Sequence, residues 1–333
     1  MSNEYPVTEL DQLDLMLIGE LQFNGRLPIS AVADRIGTSK SSVQRRLKAL
    51  LARRVIKVVA IIGPTIRRYR TAAMIGINAT PDEVSSVANR LASYANVQSV
   101  VITTGSYNIV IWTMFHSPAG LTNFLRTEIG TDPGVVTCET MINLDTKKLS
   151  FAYLKADNPI YEVQRHDMQE NSRYHPLDQR DISIIQELEV DGRVRTTDIA
   201  KKLGISRNTA RDRIQSLVER EIIKIVALGY PPMLGYPTMA YIGINAVSAE
   251  IDNLADRLAS IPYVHGVVVS TGRYDIIVWA IFHTTGDLAD FLIDELGKLP
   301  GVVKTEAILN LKITKLARLS TAYLAAENTD EIG

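Results

Sequence analysis

Slid against itself, the chain of 333 residues matches at one register, 167 positions apart. Leu10-Asp11-Gln12 returns as Leu177-Asp178-Gln179, and Gly25-Arg26 as Gly192-Arg193. Ile75-Gly76-Ile77-Asn78-Ala79 returns as Ile242-Gly243-Ile244-Asn245-Ala246, and Pro133-Gly134-Val135-Val136 as Pro300-Gly301-Val302-Val303. The register holds without a gap from Leu10 to Leu149, with about two positions in five identical. An insertion of three residues then precedes Ala322-Tyr323-Leu324, the match of Ala152-Tyr153-Leu154. Such a chain must fold as two like units. The polar stretch 155–176 between them reads as a connector.

With 46% apolar residues, the chain can build several cores and is unlike a disordered one. Cys138 is the single cysteine, which excludes an intrachain disulfide and a cysteine-based zinc site. No metal and no cofactor is expected. Residues 1–10 lack the basic start and apolar core of a signal peptide, and no apolar run nears the roughly 20 residues of a membrane helix. These features point to a soluble, cytoplasmic protein with no membrane partner. The net charge of −1 conceals two basic islands. Residues 26–70 carry twelve Lys or Arg against one acid, Asp34, a local charge of +11; residues 193–237 carry nine against four, or +5, which leaves −17 elsewhere. Such islands suit contact with phosphates, and equally a solvated helix face.

The first sixty residues of each copy read as three helices and a small hairpin. Asp11 caps the first helix with Asp14 in its first turn, Leu17, Ile18 and Leu21 recur at helical spacing, and Asn24-Gly25 ends it. Asp178, Asp181, Ile184, Ile185, Leu188 and Gly192 repeat that pattern. Ile29, Val32, Ala33 and Ile36 give a second helix, stopped by Gly37. Ser39 caps the third, whose Val43, Leu47, Leu50 and Leu51 form one inward stripe. Its start and outer face carry Lys40, Ser41, Ser42 and Arg45, flanked by Gln44, Arg46 and Lys48. In the second copy Ser206 caps a helix that buries Ala210, Ile214, Leu217 and Val218. That helix presents Arg207, Asn208, Thr209 and Asp212, flanked by Arg211, Arg213 and Gln215.

Two helices joined by a Gly-x-Ser turn, the second polar and basic outside, make a helix-turn-helix whose second helix enters the major groove of duplex DNA. A purely structural three-helix bundle gives the same inner stripe but has no need of so basic an outer face. A β-branched run over 55–62, broken by Gly63-Pro64, follows as a wing or exit strand. Arg67, Arg68 and Arg70 add charge in the first copy only, and Asp212 stands where the first copy has Arg45. The second head should therefore bind DNA more weakly or prefer different bases.

The rest of each copy alternates strand and helix: strand 71–79, helix 81–94, strands 97–104 and 107–116, helix 118–129, strand 135–144. The order βαββαβ is that of a ferredoxin-like domain, a four-stranded antiparallel sheet with helices on one face. Its other face is apolar and needs a second sheet, from the sister copy or another chain. The turn Thr104-Gly105-Ser106-Tyr107-Asn108, repeated as Thr271-Gly272-Arg273-Tyr274-Asp275, is the most polar feature of this domain. It reads either as a cradle for a small zwitterion or as a plain β-turn with Asn or Asp bonding nearby backbone.

These motifs together resemble the Lrp/AsnC, or feast/famine, family of transcription regulators. The resemblance rests on Leu10-Asp11-x-x-Asp14, Ala33-x-x-Ile36-Gly37-x-Ser39, Arg46-Leu47, Val55-Ile56, Thr104-Gly105-x-Tyr107-Asn108 and Pro133-Gly134-Val135, met twice along nearly the whole chain. It implies an α+β fold of two winged helix-turn-helix heads, each followed by a ferredoxin-like RAM domain. The heads would occupy 8–66 and 177–233, the effector and oligomerisation domains 70–154 and 237–326. It implies a sequence-specific DNA-binding regulator rather than an enzyme, with an amino acid or related metabolite as effector. Gly105, Tyr107, Asn108, Gly272, Tyr274 and Asp275 would line the effector sites. The fused chain would resemble a dimer made covalent and would assemble further as a homo-oligomer. The family's turn usually carries Asp, kept as Asp275, so Asn108 marks an altered first site.

A rival reading is a sirohaem decarboxylase-like enzyme of the same architecture, using histidine and arginine. His116 and His283 repeat at a strand end, but His265 faces Gln98 in register, and His166 and His175 lie in the connector. No triad, paired catalytic carboxylates or phosphate-cradling glycine loop recurs in both copies, so no catalytic residue is expected. A second rival, a metabolite sensor acting only through protein partners, is at odds with two basic third helices.

Overall fold

The computed structural model describes residues 10–62, 71–150, 153–154, 177–220 and 222–315; the connector 155–176 and Arg67, Arg68 and Arg70 lie outside them. The first copy runs α1 (Gln12–Phe23), α2 (Ile29–Ile36), α3 (Lys40–Ala52), β1 (Ile56–Ile62), β2 (Thr71–Ala79), α4 (Val84–Ser93), β3 (Val97–Thr103), β4 (Ile109–Phe115), α5 (Pro118–Phe124) and β5 (Val135–Leu149). The second runs α6 (Gln179–Val190), α7 (Thr196–Leu203), α8 (Arg207–Glu219), β6 (Ile223–Gly229), β7 (Thr238–Ala246), α9 (Ile251–Ser260), β8 (Val264–Thr271), β9 (Ile276–Phe282), α10 (Thr285–Asp290) and β10 (Val302–Lys315). They divide into two compact units, one holding both heads and the other both α/β halves. Among the described residues no helix is long and apolar enough to cross a membrane.

In the head unit the sequence signals act as caps. The Asp11 carboxylate accepts the Asp14 N–H at 2.9 Å, and Asp178 repeats this with Asp181 at 2.8 Å, which closes a capping box on α1 and on α6. Gly37 and Gly204 end α2 and α7 in the left-handed region, at φ 67° and 62°. Leu17, Ile18, Leu21, Val32, Val43, Leu47 and Leu50 are buried together. Leu51 is only half-buried and Val218 is exposed, so the third helices bury a narrower stripe than their spacing suggests.

The expected hairpin within each head is not what forms. β1 pairs antiparallel with β6 of the sister head, from Ile56 opposite Gly229 to Ile62 opposite Ile223. A lone strand needs a partner for its backbone groups, and the duplication supplies a matching one. Gly25 donates its N–H to the Ile225 carbonyl at 2.7 Å and Gly192 donates to that of Val58 at 2.8 Å. A Cβ at Gly25 would lie 2.6 Å from Val58 Cγ1, so only glycine admits this approach. Arg26 donates to the Val194 carbonyl at 2.7 Å and Arg193 to that of Gly25 at 2.6 Å. Two arginines of the basic islands therefore tie the heads together.

In the other unit both sheets join into a closed barrel of eight strands, in the order β10-β3-β4-β2-β5-β8-β9-β7. The sister copy is thus the second sheet that the apolar face requires. Met74, Tyr107, Val110, Met141, Tyr274, Ile277 and Ile308 fill the space between the halves. On the outer faces, α4 and α5 cover Ile75, Ile77, Ile109 and Ile111, and α9 and α10 cover their counterparts. The last strand runs five residues further than expected, because β5 leaves its own sheet. Its first part pairs with β2 and its second with β8 of the sister half, from Ile142 opposite Thr271 to Leu149 opposite Gly266. β10 does the same between β7 and β3. Near its end each exchanged strand carries a buried lysine that caps a helix of the other copy. Lys148 Nζ donates to Ile261 O and Lys315 Nζ to Tyr94 O, both at 2.9 Å, at the C-terminal ends of α9 and α4.

Candidate nucleic-acid interface and effector turns

On α3, Lys40, Ser41, Gln44, Arg45 and Lys48 are exposed, and Ser42 is half-buried with its N–H bonded to the Ser39 hydroxyl. Among the described residues Lys40, Arg45 and Lys48 have no ion-pair partner. Arg46 does something else. Its guanidinium lies 2.8 Å from both Asp11 and Asp14, with the side chain 18% exposed, so it staples α3 to the first turn of α1. The Asp14 and Asp11 carboxylates hold its pKa above the usual arginine value. Arg213 repeats the tie to Asp178 and Asp181 at 2.8 and 2.7 Å. Helical spacing placed Arg46 and Arg213 on the flank of the DNA face; the acids that bind them come from 32 or 35 residues earlier, beyond the reach of a helical wheel.

On α8, Arg207, Asn208, Thr209, Arg211 and Asp212 are exposed. Arg211 and Asp212 pair at 3.0 Å, so the acid opposite Arg45 in register also occupies a neighbouring cation. Arg211 and Gln215 further line a cavity of about 210 Å³ with Thr196, Ile214 and Arg26 of the first head.

The two glycine turns are held from every side. Gly105 and Gly272 take φ of 95° and 110°, which favours glycine, and both are exposed. The Asn108 side chain bonds Ala79 twice, accepting its N–H at 2.9 Å and donating to its carbonyl at 2.7 Å. Asp275 accepts the equivalent Ala246 N–H at 2.9 Å but has no donor for the carbonyl. The Asn/Asp difference, read above as the mark of an altered first site, is also a difference in how fully the turn is stapled to β2 or β7. Tyr107 and Tyr274 are buried, their rings lying across Gly76 and Gly243, where any Cβ would clash. The repeated Ile-Gly-Ile motif thus makes room for the tyrosines.

Ser106 and Arg273 of these turns gather beside the tyrosines with Glu139 and Glu306, two acids that sequence reasoning passed over. The Tyr107 hydroxyl donates to Glu139, and burial together with that bond pushes its pKa well up. Burial, then Glu306, pushes Tyr274 up to about 12. Arg273 donates to Ser106 Oγ at 2.9 Å, to Glu306 at 3.2 Å and to the Tyr274 hydroxyl at 3.1 Å, and lies 3.5 Å from Glu139. Burial alone would raise Glu306, but Ser106, Tyr274 and Arg273 hold it below the usual carboxylate value. The one available signal was Ser against Arg at matching positions of otherwise similar turns.

Models of known families place this architecture. An AsnC-type helix-turn-helix domain matches residues 10–51, a winged helix-turn-helix DNA-binding domain 177–224, and the Lrp/AsnC ligand binding domain both 72–153 and 239–319. The HTH-type transcriptional regulator FL11 of Pyrococcus horikoshii is 34% identical over 141 residues, 93% of its own length and 42% of this chain. The chain belongs to the Lrp/AsnC family. By family it is a helix-turn-helix transcription regulator carrying the Lrp/AsnC unit twice. LrpA of the same organism is 34% identical over 131 residues, 92% of LrpA and 38% of this chain. Among solved structures, the siroheme decarboxylase NirDL overlays 96% of this chain and 100% of its own, with a TM-score of 0.62 at 14% identity. At that identity the likeness is one of fold. Within the Lrp/AsnC frame the histidines repeat only in part: His116 and His283 are exposed at matching strand ends, whereas His265 is buried where the first copy has Gln98.

Proposed function

We propose that this Lrp/AsnC protein reads duplex DNA through the outer faces of α3 and α8 and adjusts that binding to a small metabolite, an amino acid being the first class to test. The observation that carries the proposal is the face of α3. Lys40, Arg45 and Lys48 stand exposed without an ion-pair partner among the described residues, beside Ser41 and Gln44. Free cations suit phosphates, and serine, glutamine and arginine suit base edges. Fluorescence anisotropy on selected genomic fragments tests this. Affinity should fall linearly with salt on logarithmic axes, and Arg45→Ala with Lys48→Ala should weaken it sharply. Unchanged affinity at physiological salt overturns the assignment.

The ligand-binding domain model spans both α/β halves, which supports effector binding there. Because Asn108 and Asp275 are bonded to the backbone, Asp275→Asn separates their two possible roles. If Asp275 holds an ammonium group, the variant loses any amino-acid-induced rise in melting temperature; if no proteinogenic amino acid shifts the wild type, that class is abandoned. Val136, Leu144, Val303 and Leu311, each more than 60% exposed on β5 and β10, support further self-association, to be measured by light scattering. The one unmatched histidine of the barrel, His265, is buried, which supports a regulator over a tetrapyrrole enzyme; a tight complex with an iron tetrapyrrole, seen as a new visible band, would reverse that choice.

A further inference from the structure

Ser106 and Arg273 occupy equivalent positions in the 167-residue register, and they touch, at 2.9 Å. Equivalent residues of two like halves meet only on the axis that relates those halves. Around this axis the duplication delivers everything in pairs: Glu139 with Glu306 and Tyr107 with Tyr274. The arginine comes once. Its guanidinium reaches both carboxylates, at 3.2 and 3.5 Å, and stands 5.7 Å from the centres of both tyrosine rings. One cation therefore serves two acids and two aromatic faces, and no second guanidinium fits without like-charge contact.

We infer that the barrel's closing surface is built for an unlike partner: it closes around one axial arginine, so each α/β half fits the other half of the duplication and not a second copy of itself. Two first halves brought together would set Glu139 against its own duplicate with only serines on the axis. Two second halves would set Arg273 against Arg273. The apolar lining also differs between the halves, Met74, Val110 and Met141 against Tyr241, Ile277 and Ile308, but those residues carry no charge, so the axis is where charge separates the two kinds of partner. This inference does not depend on which DNA or effector the protein binds.

The full-length chain can be given the axis of either like pair. Arg273→Ser leaves no axial arginine, as in a pair of first halves; Ser106→Arg supplies two, as in a pair of second halves. The double variant Ser106→Arg with Arg273→Ser returns one, from the opposite side. Melting temperatures, followed by circular dichroism at low salt, should fall by roughly 3–6 °C in each single variant and return to within about 2 °C of wild type in the double. If Ser106→Arg does not fold, Arg273→Ser and the double variant still compare none with one. Single variants that melt like wild type would overturn the inference, as would a double variant as unstable as its two parents combined.

Discussion

The two heads agree where they hold themselves together and differ where they face outward. Arg46 on Asp11 and Asp14 is matched by Arg213 on Asp178 and Asp181, and Arg35 on Glu20 by Lys202 on Glu187. Gly25 and Gly192 serve the same seam in the same way. On the outer helices, however, Gln44, Arg45 and Lys48 are answered by Arg211, Asp212 and Gln215. Arg26 and Arg46 on one side and Arg193 and Arg213 on the other are spent inside the head unit, which takes two charges from each island and leaves the difference between +11 and +5 unchanged. Between the two outer helices the one reversal of sign is Arg45 against Asp212.

Exchanging that position should produce the largest effect. Arg45→Asp should weaken binding to duplex DNA by about tenfold or more, and Asp212→Arg, which also frees Arg211, should strengthen it by a similar factor. Anisotropy titrations of both variants at one salt concentration check this; equal effects of either sign would erase the proposed difference between heads.

The barrel offers a second asymmetry, at His265 against Gln98. Burial, then the charge of Lys148, holds the His265 pKa down to about 3, so the fold accepts only the neutral imidazole. The unfolded chain protonates it near 6.5, so stability is complete above that pH and declines below it by roughly 1.4 kcal/mol per unit. His265→Gln, which copies the first half, should flatten the loss between pH 6.5 and 5 in urea unfolding. Lys148 acts at the other end of the scale. Burial lowers its pKa to about 8, so the unfolded chain binds more protons between pH 8 and 10.5 and stability rises with pH across that window. Unfolding at pH 7.5 and 9.5 should show wild type gaining about 1–2 kcal/mol relative to Lys148→Met. The smallest effect belongs to the turns: Asp275→Asn supplies the donor that Asn108 already uses and should raise the melting temperature by about 1 °C.

Local chemistry made the heads legible. Asp11-x-x-Asp14 and Ser39 are caps with a single geometric meaning, and the 3.6-residue spacing of Val43, Leu47 and Leu50 names the inner face. The ferredoxin-like order was legible for the same reason, since alternation and turn residues act over short range. Whatever passes between the copies was hidden. Among the described residues β1 pairs with no strand of its own head, β5 changes sheets midway, and Arg46 answers acids from another helix. Each is a pairing across more than thirty residues, on which periodicity is silent. The glycine turns fall between these cases. Positive φ at Gly105 and the backbone bonds of Asn108 follow from residue type, but the gathering of Arg273, Glu139 and Glu306 required the closed barrel.

The exchanged strands also govern how the two copies can diverge by descent. Duplication ordinarily frees one copy to drift while the other keeps the original task. Here residues 142–149 of the first copy are read by 266–271 of the second, and the terminal part of β10 by β3. A substitution in either strand is tested at once by the sister's backbone and core. The outer helices can wander apart, as α3 and α8 have, while the last strands must change in step. Neither copy can be lost without opening a sheet that has no edge to spare.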